Sequence, residues 1–181
     1  MLKELCLQLY QDQHLQRRVQ LHSLHFYQKQ YNETFFEHKA QIQQEVTITN
    51  KRIQLKNTEG MLNNGIVMDV VAKPITREFC NIVGSSRGDI LDIGFGLGYS
   101  ANNFYSIGVK SYTCIEINKQ IYEIACNWAK DKDNVTIILG DWIDIIPTLD
   151  KKFDGIFMDT YEDENYSKFE EYAKLVSKEN C

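Results

Sequence analysis

The first 59 residues of this 181-residue chain contain no glycine and no proline; the first glycine is Gly60, and the only prolines are Pro74 and Pro147. Without those helix breakers, residues 2–44 are expected to be helical, as one helix or as two broken near Asn32. No apolar run approaches the ~18 residues of a membrane span, so a membrane protein of the helical kind is excluded. The start, Met-Leu-Lys-Glu-Leu-Cys-Leu-Gln, carries no signal-peptide core and no small-residue cleavage site, which predicts a cytoplasmic protein. Five scattered cysteines, with no C-x-x-C pair, disfavour a disulfide scaffold or a zinc ribbon. Net charge is −5, which argues against a generic nucleic-acid binder.

Residues 1–45 balance five basic against five acidic side chains, so all of the −5 sits in residues 46–181. Leu2, Leu5, Cys6, Leu9 and Tyr10 form an apolar face, and Leu15, Val19, His22 and Phe26 continue a stripe. Forty helical residues reach ~60 Å, longer than a compact domain of this size. The segment is therefore expected to fold back or to meet a partner chain or a second copy. All four histidines lie in it, but no cysteine or carboxylate cluster completes a metal site, and none is expected.

The division expected is a helical extension (1–45), a hairpin and linker (46–65) and an α/β domain (66–181). Val46, Ile48, Ile53 and Leu55 alternate with polar residues around Asn50-Lys51, a β-hairpin signal. Asn57–Gly65 has the polarity of a loop. Pro74 suits the first turn of a helix over Ile75–Val83, and Gly84 its stop. Beyond Gly88, apolar strands at 89–93, 111–115, 135–139 and 153–158 alternate with helices, which predicts a Rossmann-like parallel sheet. The last helix is expected over Tyr166–Val176.

Asp89-Ile-Leu-Asp92-Ile-Gly94-Phe95-Gly96-Leu-Gly98 runs a strand into alternating glycines and then a helix. Such a loop lets backbone approach a ligand, and the following helix offers free N–H groups. The dinucleotide fingerprint would require glycine at 99, where this chain has Tyr99, so an NAD site is disfavoured. Glu116 closes the second strand 24 residues after Asp92, where a carboxylate can accept from ribose hydroxyls. Gly140-Asp141-Trp142 follows the third strand and Asp159-Thr-Tyr161 the fourth. Asp141 also suits a helix N-cap, Trp142 a core position and Asp159 a strand-end turn.

Together these segments resemble the class I methyltransferases that use S-adenosylmethionine. Ile-Gly-Phe-Gly, Gly-Asp-Trp-Ile-Asp-Ile-Ile-Pro-Thr-Leu and Phe-Asp-Gly-Ile-Phe-Met-Asp-Thr-Tyr resemble, more narrowly, guanidinoacetate N-methyltransferase and its arginine N-methyltransferase relatives. The resemblance covers roughly Ile66–Val176. It implies methyl transfer to a small guanidino or amino substrate. Asp159 and Tyr161 would line the substrate pocket, and Asp159 would also border the cofactor. Met68, Asp92, Gly94, Phe95, Gly96, Gly98, Glu116, Ile117, Asp141 and Trp142 would contact S-adenosylmethionine. Two departures stand out. A second guanidinium-binding carboxylate is replaced by Ala72, for which Asp69 or the Glu162-Asp163-Glu164 run could compensate. A seven-stranded sheet of order 3-2-1-4-5-7-6 is implied, yet the chain reaches Cys181 where a fifth strand would begin. A truncated product, a partner supplying the missing strands, or a hairpin covering the fourth strand's edge would each account for that. The competing expectation is a non-catalytic module of this fold that assembles through its N-terminal arm.

Overall fold

Strand and helix positions follow the apolar pattern closely in the computed structural model, which describes residues 46–56, 62–160, 163 and 165–178. The helical arm expected over residues 1–45, its histidines and the partner contact assigned to it lie outside the described residues. So do Tyr161, Glu162 and Glu164.

Strands β1 (Val46–Ile48) and β2 (Arg52–Lys56) form the expected antiparallel hairpin, with Val46 opposite Leu55 and Ile48 opposite Ile53. Thr49 closes the turn: its Oγ1 accepts from the N–H groups of Lys51 (3.3 Å) and Arg52 (3.0 Å). One element corrects the sequence reading. The expected loop 57–65 ends early, because Leu62–Asp69 is a third strand, β3, paired antiparallel to β2. Asn63 and Asn64 disfavour a strand in isolation. Pairing along an already formed edge outweighs that weak local preference.

A single 3₁₀ turn, Val70–Ala72, leads into helix α1 (Lys73–Val83), with Pro74 in its first turn and Gly84 at its end. Thr76, Cys80 and Val83 are its buried face. Four parallel strands follow: β4 (Asp89–Ile93), β5 (Ser111–Glu116), β6 (Val135–Leu139) and β7 (Gly155–Met158). Between them run α2 (Tyr99–Ile107), α3 (Lys119–Ala129) and the short α4 (Trp142–Ile145). Helix α5 (Phe169–Val176) closes the described chain, preceded by a 3₁₀ turn at Tyr166–Lys168. The sheet order is β6-β5-β4-β7. All five residues of β4 are buried, as a central parallel strand covered on both faces requires.

Val46, Ile53 and Leu55 join one core cluster with Phe95, Phe104, Tyr112 and Phe157. The antiparallel sheet therefore packs beside the glycine loop. Its strands pair with neither edge of the parallel sheet, so the hairpin does not serve as a cover strand for β7. Beyond α5, Phe153 N–H donates to Val176 O (2.7 Å) and Lys178 N–H to Phe153 O (3.1 Å). Ser177 thus forms a single parallel bridge with Phe153, two residues before β7.

Candidate active site

The loop between β4 and α2 carries Gly94, Gly96 and Gly98 at φ +94°, +55° and +73°, a left-handed region that side chains rarely adopt. Space is short as well. A Cβ on Gly96 would lie 2.7 Å from Met68 Sδ, and one on Gly94 3.0 Å from the Asp159 carbonyl oxygen. Met68, delivered by β3, accepts from Leu97 N–H at 3.1 Å. The third strand, absent from the sequence reading, is what places this side chain on the loop. Phe95 is turned inward, its ring 5.7 Å from that of Trp128.

Glu116 ends β5 beside this loop. Its carboxylate accepts from the N–H groups of Phe95 (2.8 Å) and Asn118 (2.8 Å), one on each oxygen. Burial raises its pKa, and these backbone bonds pull it back down. A carboxylate can accept about four hydrogen bonds. The N–H groups of Gly96 and Ile117 lower its pKa in the same way, so backbone donors from both the glycine loop and the turn after β5 orient Glu116. Gly140 N–H donates to Glu116 O (3.0 Å), which joins the ends of β5 and β6.

Asp92 lies beneath the loop and is fully buried. Its Oδ2 accepts from Ser100 Oγ and from Tyr112 OH, both at 2.6 Å, whereas Oδ1 has no hydrogen-bond partner. Burial raises the Asp92 pKa to about 7, against the lowering effect of the two hydroxyls; Asp159 and Glu116 push it up further. Asp159 follows β7, and its N–H donates to Ile93 O (3.2 Å). Burial lifts its carboxyl to about 6.

Asp141 caps α4, its Oδ1 accepting from Ile143 N–H at 3.1 Å. Ile117, directly after Glu116, is 39% exposed. Trp142 follows Asp141 as the first residue of α4. It is 4% exposed, lies against Phe169 and Tyr172, and donates its Nε1–H to Asp163. The core role is the one that the structure gives it. Of the two expected substitutes for Ala72, Asp69 is paired with the Arg52 guanidinium at 2.8 Å. Asp163 serves Trp142 and accepts from Asn165 N–H (2.8 Å).

The fold thus gathers Met68, Asp92, the three glycines, Glu116 and Asp159 around the carboxyl ends of β4, β5 and β7. Three residues that hold this cluster went unassigned in the sequence: Ser100, Tyr112 and Asn118. Asn118 carried a readable signal, an asparagine directly before a helical pattern, and it caps α3 through Gln120 and Ile121. Ser100 and Tyr112 carried none, because their partner is set by packing.

The model of the guanidinoacetate N-methyltransferase family matches residues 35–176. Protein arginine N-methyltransferase 2 of Yarrowia lipolytica is 29% identical, over 63% of this chain and 26% of its own length. Three solved structures share the fold. The O-methyltransferase TomG of Streptomyces achromogenes, in complex with SAM, has a TM-score of 0.50 at 24% identity, over 58% of this chain and 51% of that one. An O-methyltransferase of Bacillus cereus, in complex with SAH, has 0.50 at 17%, over 88% and 62%. A spermidine synthase with the transition-state analogue AdoDATO has 0.54 at 14%, over 74% and 54%. The chain spans about a quarter of the curated relative's length and between half and two thirds of these structures. With the family's model matching residues 35–176 and the sheet order β6-β5-β4-β7 agreeing with the order that its sequence implied, the chain belongs to the guanidinoacetate N-methyltransferase family.

Proposed function

We propose that this chain forms the S-adenosylmethionine-binding part of a methyltransferase acting on a small nitrogen nucleophile, a guanidino or amino group. The carrying observation is Glu116. Its carboxylate is fixed by backbone N–H groups, Phe95 of the glycine loop among them, at the carboxyl end of β5, where an acid suits vicinal ribose hydroxyls. The glycines give the methionine end close access to backbone, and the start of α2 supplies free N–H groups. Ile117 offers an apolar surface to the adenine ring. The uncapped oxygen of Asp141 is the acceptor for its amine. Bound there, S-adenosylmethionine supplies an electrophilic methyl group.

Asp159 is the acceptor-orienting acid in this reading. A carboxylate accepts two N–H groups in a fork and holds the nitrogen lone pair in line, so that most of the catalytic effect is positioning. A pKa near 6 also lets it take the proton that the nitrogen sheds as its new N–C bond forms. With alanine at position 72 and Asp69 engaged by Arg52, acceptor recognition by the described residues rests on Asp159.

Calorimetric titration of S-adenosylmethionine into the 181-residue chain tests the reading, with Glu116→Ala as the control. Loss of hydrogen bonds to a charged group costs ~1.5–3 kcal/mol, so the variant should bind about tenfold or more weakly. A folded wild-type chain that binds neither S-adenosylmethionine nor S-adenosylhomocysteine overturns the proposal. Binding justifies a screen of guanidino and amine acceptors.

A further inference from the structure

Gly98 ends the glycine loop and caps α2, and it is held from two sides. A Cβ there would stand 3.0 Å from the Phe95 ring and 3.5 Å from the Asn102 amide nitrogen. Both of these neighbours rest on one residue, Trp128 of α3. Its ring centroid lies 5.7 Å from that of Phe95, and its Nε1–H donates to Asn102 Oδ1 at 3.1 Å. Asn102 in turn donates through Nδ2 to Gly98 O at 2.6 Å. An indole N–H can only donate, and a carbonyl can only accept. The amide between them is therefore fixed in one orientation, with its oxygen towards Trp128 and its nitrogen towards Gly98.

The indole is itself secured. Tyr112, whose hydroxyl donates to Asp92, meets it edge-on at 5.9 Å, and Tyr105 does so at 6.1 Å. The Lys132 ammonium lies over its face, 4.4 Å from the ring centroid, in cation–π contact. Trp128 is the penultimate residue of α3, whereas Glu116 precedes that helix. Glycine has the widest backbone freedom, so a loop built on it keeps one shape only when its neighbours impose that shape. A loop already in its bound shape avoids the ordering cost of binding.

We infer that Trp128 is a positioning residue for the cofactor: through Asn102 on one side and Phe95 on the other it holds Gly98 in the shape that receives S-adenosylmethionine, without touching the ligand. The inference rests on the proposed cofactor reading and deepens it.

Calorimetric titration of S-adenosylmethionine into the wild-type chain, Trp128→Phe, Asn102→Ala and the double variant tests it. Phenylalanine keeps a ring against Phe95 and removes the donor. Asn102 is exposed and alanine is the better helix former, so Asn102→Ala should keep its thermal midpoint. A role confined to stability would leave the affinity of the folded chain unchanged. Each single variant should instead bind about threefold to tenfold more weakly, the worth of one hydrogen bond. The double variant should bind no more weakly than the weaker single one, because both substitutions break the same chain of contacts. Unchanged affinity in either single variant, or losses that multiply in the double one, overturns the inference. Should Trp128→Phe fail to fold, Asn102→Ala and the wild-type chain decide. In the wild type the Trp128 indole N–H resonance should shift as S-adenosylmethionine saturates the site, and a resonance that stays in place overturns the inference while leaving the cofactor reading intact. A folded wild-type chain that does not bind overturns the cofactor reading, and this inference with it.

Discussion

At Gly96 two independent constraints coincide. Its φ of +55° penalises any side chain, and Met68 Sδ fills the space that a Cβ would take. Gly96→Ala should therefore lose ~1–3 kcal/mol of stability, measurable by urea denaturation, and should weaken cofactor binding by moving the loop. Pairing it with Met68→Ala relieves the contact but not the backbone strain, so the double variant should regain only part of the loss. Full recovery would show that crowding alone governs this position. Met68 also gives the loop a hydrogen-bond partner: its thioether accepts the Leu97 N–H, which the turn itself leaves unsatisfied.

Opposite the site, the amino ends of the strands are tied by a charge network. Asp89, the first residue of β4, accepts from Ser111 Oγ (2.7 Å), Lys110 (3.2 Å) and Lys178 (3.0 Å), and pairs with Lys151 (3.2 Å). Lys178 also reaches Asp154 at 2.6 Å, and Asp154 accepts from Asp89 N–H. These elements, β4, β5 and the segment after α5, are remote in sequence and share one carboxylate. Asp89→Ala should cost about 1–3 kcal/mol, because one buried acceptor serves several donors. Hydrogen exchange should then speed up at Lys178 N–H more than in α3. The network and the cofactor end are functionally separate, so affinity for S-adenosylmethionine should change little. A loss of binding comparable to that of Glu116→Ala would contradict this separation.

For the molecule as a whole, the two ends of the sheet impose opposite pH dependences. Asp89 and Asp154 titrate below the ordinary carboxylate range, held there chiefly by hydrogen bonds from Ser111 and Lys178 respectively. Their contribution is present above the unfolded pKa and is lost as pH falls through the folded value. Asp92 and Asp159 titrate above the ordinary 3.8, at about 7 and about 6. Their contribution is complete below the unfolded pKa and is lost as pH rises through the folded values. Stability should therefore peak in the mildly acidic range. The thermal midpoint near pH 5 should exceed that at pH 8, by an amount that Asp92→Asn largely removes. A midpoint that keeps climbing to pH 8 would mean that Asp92 is ionised at little cost.

The element order from Gly88 onward, the glycine loop and its acidic partner Glu116 were legible in the residues alone. Local rules suffice there: apolar runs of strand length, glycines at alternating positions and an acid at a strand end each carry their own signal. Even the helix cap at Asn118 and the turn around Asn50-Lys51 could be read in this way. Three outcomes could not. Leu62–Asp69 became a strand because β2 presented an edge to it, an interaction between segments that Asn63 and Asn64 do not announce. Trp142 went to the core because α5 brought Phe169 and Tyr172 against it, although an aromatic residue after a strand-end aspartate suits a ligand equally well. The state of Asp92 was decided by Ser100, Tyr112 and Asp159, which come from three different elements. Local pattern determined which elements form and which loop can receive a nucleotide. Only packing decided which polar atoms end up buried and which partners they find, since desolvation and hydrogen-bond geometry depend on residues that meet only in the folded chain.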